Sequence, residues 1–170
     1  PYPVTDKSQL TETILQDVCP AAEEWEIMRE LSYLDVDSEV LWRPFETLSN
    51  GEQTKCLLLA ALFCGESRYL LIDEPTNHLD AAGRQTVAEY LRKKQGFLLV
   101  SHDRAFLDGC VDHILALNKT GVSVQSGTFS TWWENKSRQD AYEQAQNDKL
   151  KGEMKRLAQA AKRTSTWSDR

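Results

Sequence analysis

The stretch YLLIDEPTNHLD at residues 69–80 decides the fold. Tyr69, Leu70, Leu71 and Ile72 form a short unbroken apolar run, the pattern of a strand buried on both faces within a parallel sheet. Asp73 and Glu74 stand at its carboxyl end, where open α/β sheets keep their active groups. Two carboxylates at the mouth of a buried strand suit phosphate chemistry: Asp73 can hold a magnesium-bound water and Glu74 can orient an attacking water. Acidic residues also end strands by chance, so the pair alone leaves both readings open. The extension from Pro75 to Asp80 is harder to reach by accident.

Downstream, a helix is expected from about Ala81 to Lys94, followed by a second apolar strand at Phe97 to Val100. Strand, helix and strand in alternation are the signature of a doubly wound α/β fold. The second strand runs into Ser101, His102 and Asp103. An imidazole there can reach a terminal phosphate or fix a water, although a lone histidine is more often structural. Beyond it, a short helix near Arg104 to Asp108 precedes two strands, Ile114 to Leu117 and Val122 to Gln125, joined by a turn at Asn118 to Gly121. They are expected as a hairpin at the sheet edge. Thr131 and Glu134 match a capping box, and helical pattern then continues to about Arg163. Ala141, Ala145, Leu150, Met154, Leu157 and Ala161 approximate the alternation of three and four that pairs one helix with another.

Upstream, LSNGEQ at residues 48–53 opens a helix with small residues, placing backbone N–H groups at the positive end of a dipole, a ready anion site. Ser49 and Glu52 also satisfy a capping box, which many helix starts carry with no ligand at all. The helix is expected over 51–64 and ends at Gly65. Earlier still, Leu10, Ile14, Leu15, Val18 and Ala22 recur at helical spacing, and a second short helix from Trp25 to Leu34 follows the break at Pro20. These segments read as a small helical subdomain.

Bulk properties bound the class. A length of 170 residues suits one domain, and a hydrophobic fraction of 41% with 27% charged residues argues against disorder and against a membrane protein. No run approaches the roughly 18 apolar residues of a membrane span, and the start at Pro1, Tyr2 and Pro3 has no export signal. A cytoplasmic location is expected. The missing initiator Met indicates a processed end or a piece of a longer protein. The net charge of −6 is uneven: residues 1–132 carry 11 basic and 20 acidic groups, net −9, and 133–170 carry 9 basic and 6 acidic, net +3. An acidic body argues against broad adhesion to nucleic acid, while the basic tail permits local phosphate contacts or is simply a solvated helix face. Cys19, Cys56, Cys64 and Cys110 lack metal spacing and read as free buried thiols.

The order and spacing of these segments resemble the ABC ATPase family: a signature segment at 48–53, a Walker B segment at 69–74, a D-loop around 77–80 and a switch histidine, His102. The resemblance covers nearly the whole chain and implies a partial P-loop NTPase sheet with a helical subdomain and a long C-terminal helix. It implies ATP and Mg2+ as ligands. Asp73 is then the magnesium-supporting carboxylate, and Glu74 and His102 are the catalytic pair. Ser49, Asn50, Gly51, Glu52 and Asp80 are nucleotide-contacting positions, with Ser49 and Gly51 facing the γ-phosphate held by the opposite domain. Asn50 departs from the family's usual glycine, a change that asparagine's tolerance of unusual backbone angles accommodates. The larger departure is that no G-x-x-x-x-G-K-[ST] occurs. The phosphate-binding loop is expected to precede Pro1, so the chain alone is expected neither to bind ATP tightly nor to hydrolyse it. The sheet edge left uncovered is a template for self-association.

Among ABC proteins, DEPTNHLD, SHDRAFLD and a hairpin closing in SGTFSTWWENK before a long charged helix resemble the ABC-F family, which joins two ABC domains by a helical linker and acts on the ribosome. That resemblance assigns residues 1–127 to part of an ABC domain lacking Walker A and 128–170 to the first arm of the linker. The implied partners are a second ABC domain of the same full-length chain and ribosomal RNA, with no membrane. PYPVTD at the start and TWSDR at the end are similar to the branch conferring resistance to lincosamides, streptogramin A and pleuromutilins. A transporter's nucleotide-binding subunit, a coiled-coil repair ATPase and a non-catalytic binding module remain alternatives.

Overall fold

The computed structural model describes residues 4, 6–63, 70–118 and 121–168, with side chains as far as residue 159. Tyr69, Gly65, Cys64, the centre of the turn at 118–121 and much of PYPVTD and TWSDR lie outside the described residues. The chain divides into two compact units, Pro1–His113 and Ile114–Arg170.

In the first unit, helix α1 (Thr11–Val18) and helix α2 (Glu24–Tyr33) form where the apolar spacing places them. Ile14 and Leu15 of α1 and Ile27 and Leu31 of α2 turn inward. The Glu26 carboxylate accepts from Glu23 N at 3.1 Å at the start of α2, satisfying an N–H group there. Two short 3-10 turns, Ser38–Trp42 and Phe45–Thr47, carry the chain onward and bury Val40, Leu41 and Phe45. Helix α3 (Asn50–Phe63) packs on both α1 and α2. Strand β1 (Leu70–Asp73), helix α4 (Ala81–Arg92), strand β2 (Phe97–Val100) and helix α5 (Arg104–Cys110) complete the unit.

Strands β1 and β2 are parallel, with Leu70 opposite Phe97 and Asp73 opposite Val100. This register aligns their carboxyl ends. Side chains alternate across a strand, so Ile72 is buried in the core, with Leu70, Phe97 and Leu99 packed against it on the same side, whereas Leu71, Leu98 and Val100 are exposed. The expectation of a strand buried on both faces is therefore corrected: one face is covered by helices, and Leu71 keeps 66% of its surface exposed. A continuous apolar run specifies affinity for cover on both sides, but the described residues supply cover on one.

The cysteine reading is also corrected in part. Cys56 and Cys110 are free and buried, and burial pushes both thiols up to about 12, but Cys19 is disulfide-bonded.

In the second unit, strands β3 (His113–Asn118) and β4 (Gly121–Ser126) form a two-stranded sheet of their own, not an edge of the β1–β2 pair. The Asn118 side chain donates to Ser123 Oγ at 3.2 Å, which puts those two residues on one face. Leu115, Leu117, Val122 and Val124 therefore share the other, and all four are exposed. Helix α6 (Phe129–Ser168) runs 40 residues, about 60 Å at 1.5 Å per residue. It starts earlier than the Thr131–Glu134 box predicts. Thr128 Oγ1 accepts from the Thr131 N–H at 3.4 Å, a cap one turn upstream, and Glu134 pairs with Arg138 instead. Leu150, Met154 and Leu157 lie exposed along the helix. Among the described residues, no helix is long and apolar enough to cross a membrane.

Candidate functional site

The parallel register delivers the carboxylates and the histidine to one place. Glu74 N donates to Val100 O at 2.9 Å, so the residue leaving β1 is stapled to the last residue of β2. Glu74 has φ of 45°, a left-handed conformation that disfavours a side chain and costs on the order of 1 kcal/mol. Its carboxylate sits between the two residues that follow β2. Ser101 Oγ lies 3.5 Å from Oε2, and His102 Nε2 lies 3.5 Å from Oε1. Oε1 is buried and, among the described residues, has no hydrogen-bond partner. The histidine contact is thus a charge interaction available only to the protonated ring, and the oxygen keeps its accepting capacity. His102 itself is 97% exposed. Asp73, opposite Val100, is exposed on the open side of the sheet.

A second group forms at the start of α3. Ser49 N and Ser49 Oγ both donate to Glu52 Oε2 at 2.8 Å, and Glu52 N donates back to Ser49 Oγ at 3.2 Å. The hydrogen bonds from the Ser49 hydroxyl and then its N–H hold the Glu52 carboxyl below its ordinary value. The capping box is therefore formed, and it engages the Ser49 hydroxyl. Gly51 shows why a small residue stands here: a Cβ would come 3.1 Å from the backbone oxygen of His78. The start of α3 thus presses on the turn after β1, joining 48–53 to 75–80. Asp80 caps α4, its Oδ1 accepting from Gly83 N at 2.8 Å.

The structure brings Glu74 and His102 together with Ser101, and it brings Gly51 against His78. Among the described residues, no hydrogen bond or ion pair joins Ser49, Asn50, Gly51 or Glu52 to Asp73, Glu74 or His102. Nor does any cluster of three or more His, Cys, Asp or Glu side chains form a metal cage. A single carboxylate such as Asp73 fits Mg2+ held chiefly by phosphate oxygens and water, the usual arrangement for that ion.

Sequence reasoning missed two polar groups that brace α4, the first of them beside this site. Arg84 on α4 donates to Leu79 O and pairs with Asp103, each at 3.1 Å. Glu30, buried on α2, accepts from Tyr90 and Lys94 at 2.5 and 2.7 Å and tethers the helical layer to α4. Burial alone would raise the Glu30 carboxyl, but the hydrogen bonds from Lys94 and Tyr90 outweigh it and hold it below its ordinary value. A buried glutamate on an amphipathic helix was the one available signal, since that residue type is almost never buried unless paired.

Residues 10–108 match the sequence profile of the family described as "AAA domain, putative AbiEii toxin, Type IV TA system". The chain belongs to this AAA-domain family. It is a homologue of ABC-family ATPases, ABC-F members among them. The uncharacterized ABC transporter ATP-binding protein YkpA of Bacillus subtilis is 32% identical over 83% of this chain and 27% of its own length. The energy-dependent translational throttle protein EttA of Mycobacterium tuberculosis is 37% identical over 63% of this chain and 19% of its own length. Among solved structures, the complex of archaeal ribosomal stalk protein aP1 with archaeal ribosome recycling factor aABCE1 superposes on 71% of this chain and 23% of that one, with a TM-score of 0.53 and 26% identity. The α/β architecture is that of an ABC ATPase domain. This chain spans about a quarter or less of the relatives' length.

Proposed function

We propose that this chain is part of an ATP-hydrolysing ABC-F protein that acts on the ribosome, with Glu74 as the general base. The observation that carries the proposal is the Glu74 carboxylate, set at the carboxyl end of β1 with Oε1 buried, 3.5 Å from His102 and without a hydrogen-bond partner among the described residues. An oxygen so placed can accept the proton of an attacking water, and Ser101 on the opposite oxygen fixes its orientation. His102, exposed beside it, is assigned to the terminal phosphate. Asp73 is the residue that would support Mg2+, which supplies charge neutralisation to the phosphates when bound. Ser49, Asn50, Gly51, Glu52 and Asp80 are assigned to nucleotide binding, with Ser49 and Gly51 facing the γ-phosphate held by the opposite domain. For Ser49 this requires its hydroxyl to exchange its bond with Glu52 for one with phosphate.

In this reading residues 1–127 belong to the first ABC domain and 128–170 form the first arm of its linker. The exposed stripe of Leu150, Met154 and Leu157 on α6 supports a downstream partner helix. The names of the relatives, a translational throttle protein and a ribosome recycling factor, support the ribosome as target and a cytoplasmic setting. The resistance branch rests on the two terminal segments alone. We further infer that the isolated chain neither binds ATP tightly nor hydrolyses it; micromolar ATP binding by the chain alone would overturn that inference.

The test is co-sedimentation with ribosomes of the full-length protein carrying Glu74→Gln, with and without ATP. Retention only with ATP is the expected result. Undiminished ATP turnover by that variant sinks the Glu74 assignment. Normal ATP binding with no ribosome retention moves the weight to the nucleotide-binding subunit of a transporter.

A further inference from the structure

Glu74 and His102 belong to segments separated by a helix and a strand, and the 3.5 Å between them depends on how firmly those segments are held. The segment after β2 has little apolar anchorage: His102 is almost wholly exposed, while Ser101 and Asp103 are half-buried. Its position is set by polar contacts. Asp103 N donates to Ser101 Oγ at 3.2 Å, and Asp103 Oδ1 accepts from Phe106 N at 3.0 Å, capping α5. The other oxygen of the same carboxylate, Oδ2, receives Arg84 Nη1 at 3.1 Å.

Arg84 does a second thing with the same guanidinium. Its Nε donates at 3.1 Å to the carbonyl of Leu79, the residue before the Asp80 cap and within the turn that follows Glu74. One planar fork therefore spans the turn after β1 and the segment after β2. The residue it holds on one side is one position from His102, and the turn it holds on the other packs its His78 carbonyl against Gly51. Lysine cannot reproduce this, because an ammonium lacks the rigid divergent donors that reach two acceptors in fixed directions.

We propose that Arg84 is a positioning residue, which ties the turn at 75–80 to the segment at 101–103 and thereby keeps His102 at working distance from Glu74. The proposal rests on the ATPase reading given above. Among the described residues Arg84 forms no hydrogen bond or ion pair with Glu74 or His102, and it acts on them through Leu79 and Asp103. Its contribution is to the geometry of the reacting groups, where small displacements cost large factors in rate, and little to ATP affinity.

The experiment measures steady-state ATP turnover by the full-length protein with Arg84→Met, Arg84→Lys and Asp103→Asn, each also made in a His102→Ala background. Asn remains a competent helix cap, so Asp103→Asn removes the ion pair and keeps the end of α5. Arg84→Met is expected to lower kcat about tenfold with KM changed less than about twofold. Arg84→Lys is expected to recover little of the loss, and Asp103→Asn to show a smaller fall in the same direction. With His102→Ala already present, adding Arg84→Met is expected to leave the residual rate unchanged. An unaltered kcat in Arg84→Met overturns the proposal, and so does an equal further loss in the His102→Ala background, which marks a merely structural role. Failure of the ATPase reading itself is distinguishable, because Glu74→Gln, run beside them, then leaves turnover intact.

Discussion

The helical layer and the two-stranded sheet of the first unit contain similar residues and end in opposite states. Leu15, Leu31, Leu34 and Leu41 in the helical layer are essentially inaccessible to water. Leu71, Leu98 and Val100, on strands just as apolar, remain exposed. The difference lies in how each element closes. The amphipathic helices α1 and α2 each have a single apolar stripe, and together with the apolar helix α3 and the 3-10 turns they cover one another. A parallel strand has two apolar faces, and one layer of helices covers one of them. Among the described residues, the helical layer thus covers its own apolar stripes, and the sheet is covered on one face.

The comparison can be broken most directly by cutting into both regions. Phe45→Ala, at a side chain only 1% exposed, is expected to lower stability to urea by about 3–5 kcal/mol. Leu71→Ala is expected to change it by less than about 0.5 kcal/mol. Similar losses in equilibrium unfolding of the chain would mean that the sheet's open face is covered in solution.

Glu30→Ala comes next, at an expected cost of about 3 kcal/mol, because it strips a buried carboxylate from Tyr90 and Lys94 and unties the helical layer from α4. The same group gives a pH dependence. Its carboxyl is depressed in the folded protein from an ordinary 4.5, so the unfolded chain binds the proton first as pH falls. Stability from Glu30 is then complete above about pH 4.5 and disappears as pH drops through the lower folded value. Urea midpoints compared between pH 6 and pH 3 for the native chain and Glu30→Gln check this; the variant should lose less over that range.

A smaller effect concerns association. The exposed side chains Leu71, Leu98 and Val100 support self-association of the chain, and Leu71→Lys should shift sedimentation toward monomer without altering the fold. A monomer at all concentrations before substitution would remove that idea.

Most elements were legible because their signals are local. Apolar spacing, the break at Pro20 and the turn chemistry near Gly121 place α1, α2, β3 and β4 within a few residues of their observed ends. The two 3-10 turns were not legible, since three to five residues are too few to show a period. The start of α6 was misplaced because Thr128 and Thr131 both offer a capping hydroxyl, and only the backbone path selects the first. For the candidate site, strand ends named Asp73, Glu74 and His102. Their spacing could not tell that Glu74 adopts a left-handed backbone or that one of its oxygens is left unpaired.

What the sequence by itself determined is the order of elements and the residue types at strand ends and helix starts, because periodicity, caps and apolar runs act over a few neighbours. Tertiary structure alone decided which distant groups meet. The register of β1 on β2 aligns Glu74 with the segment holding His102. The packing of α4 lets Arg84 reach Asp103 across 19 positions and Tyr90 reach Glu30 across 60. Pairings at such separations leave no local trace, because nothing within a few neighbours of either residue specifies its partner.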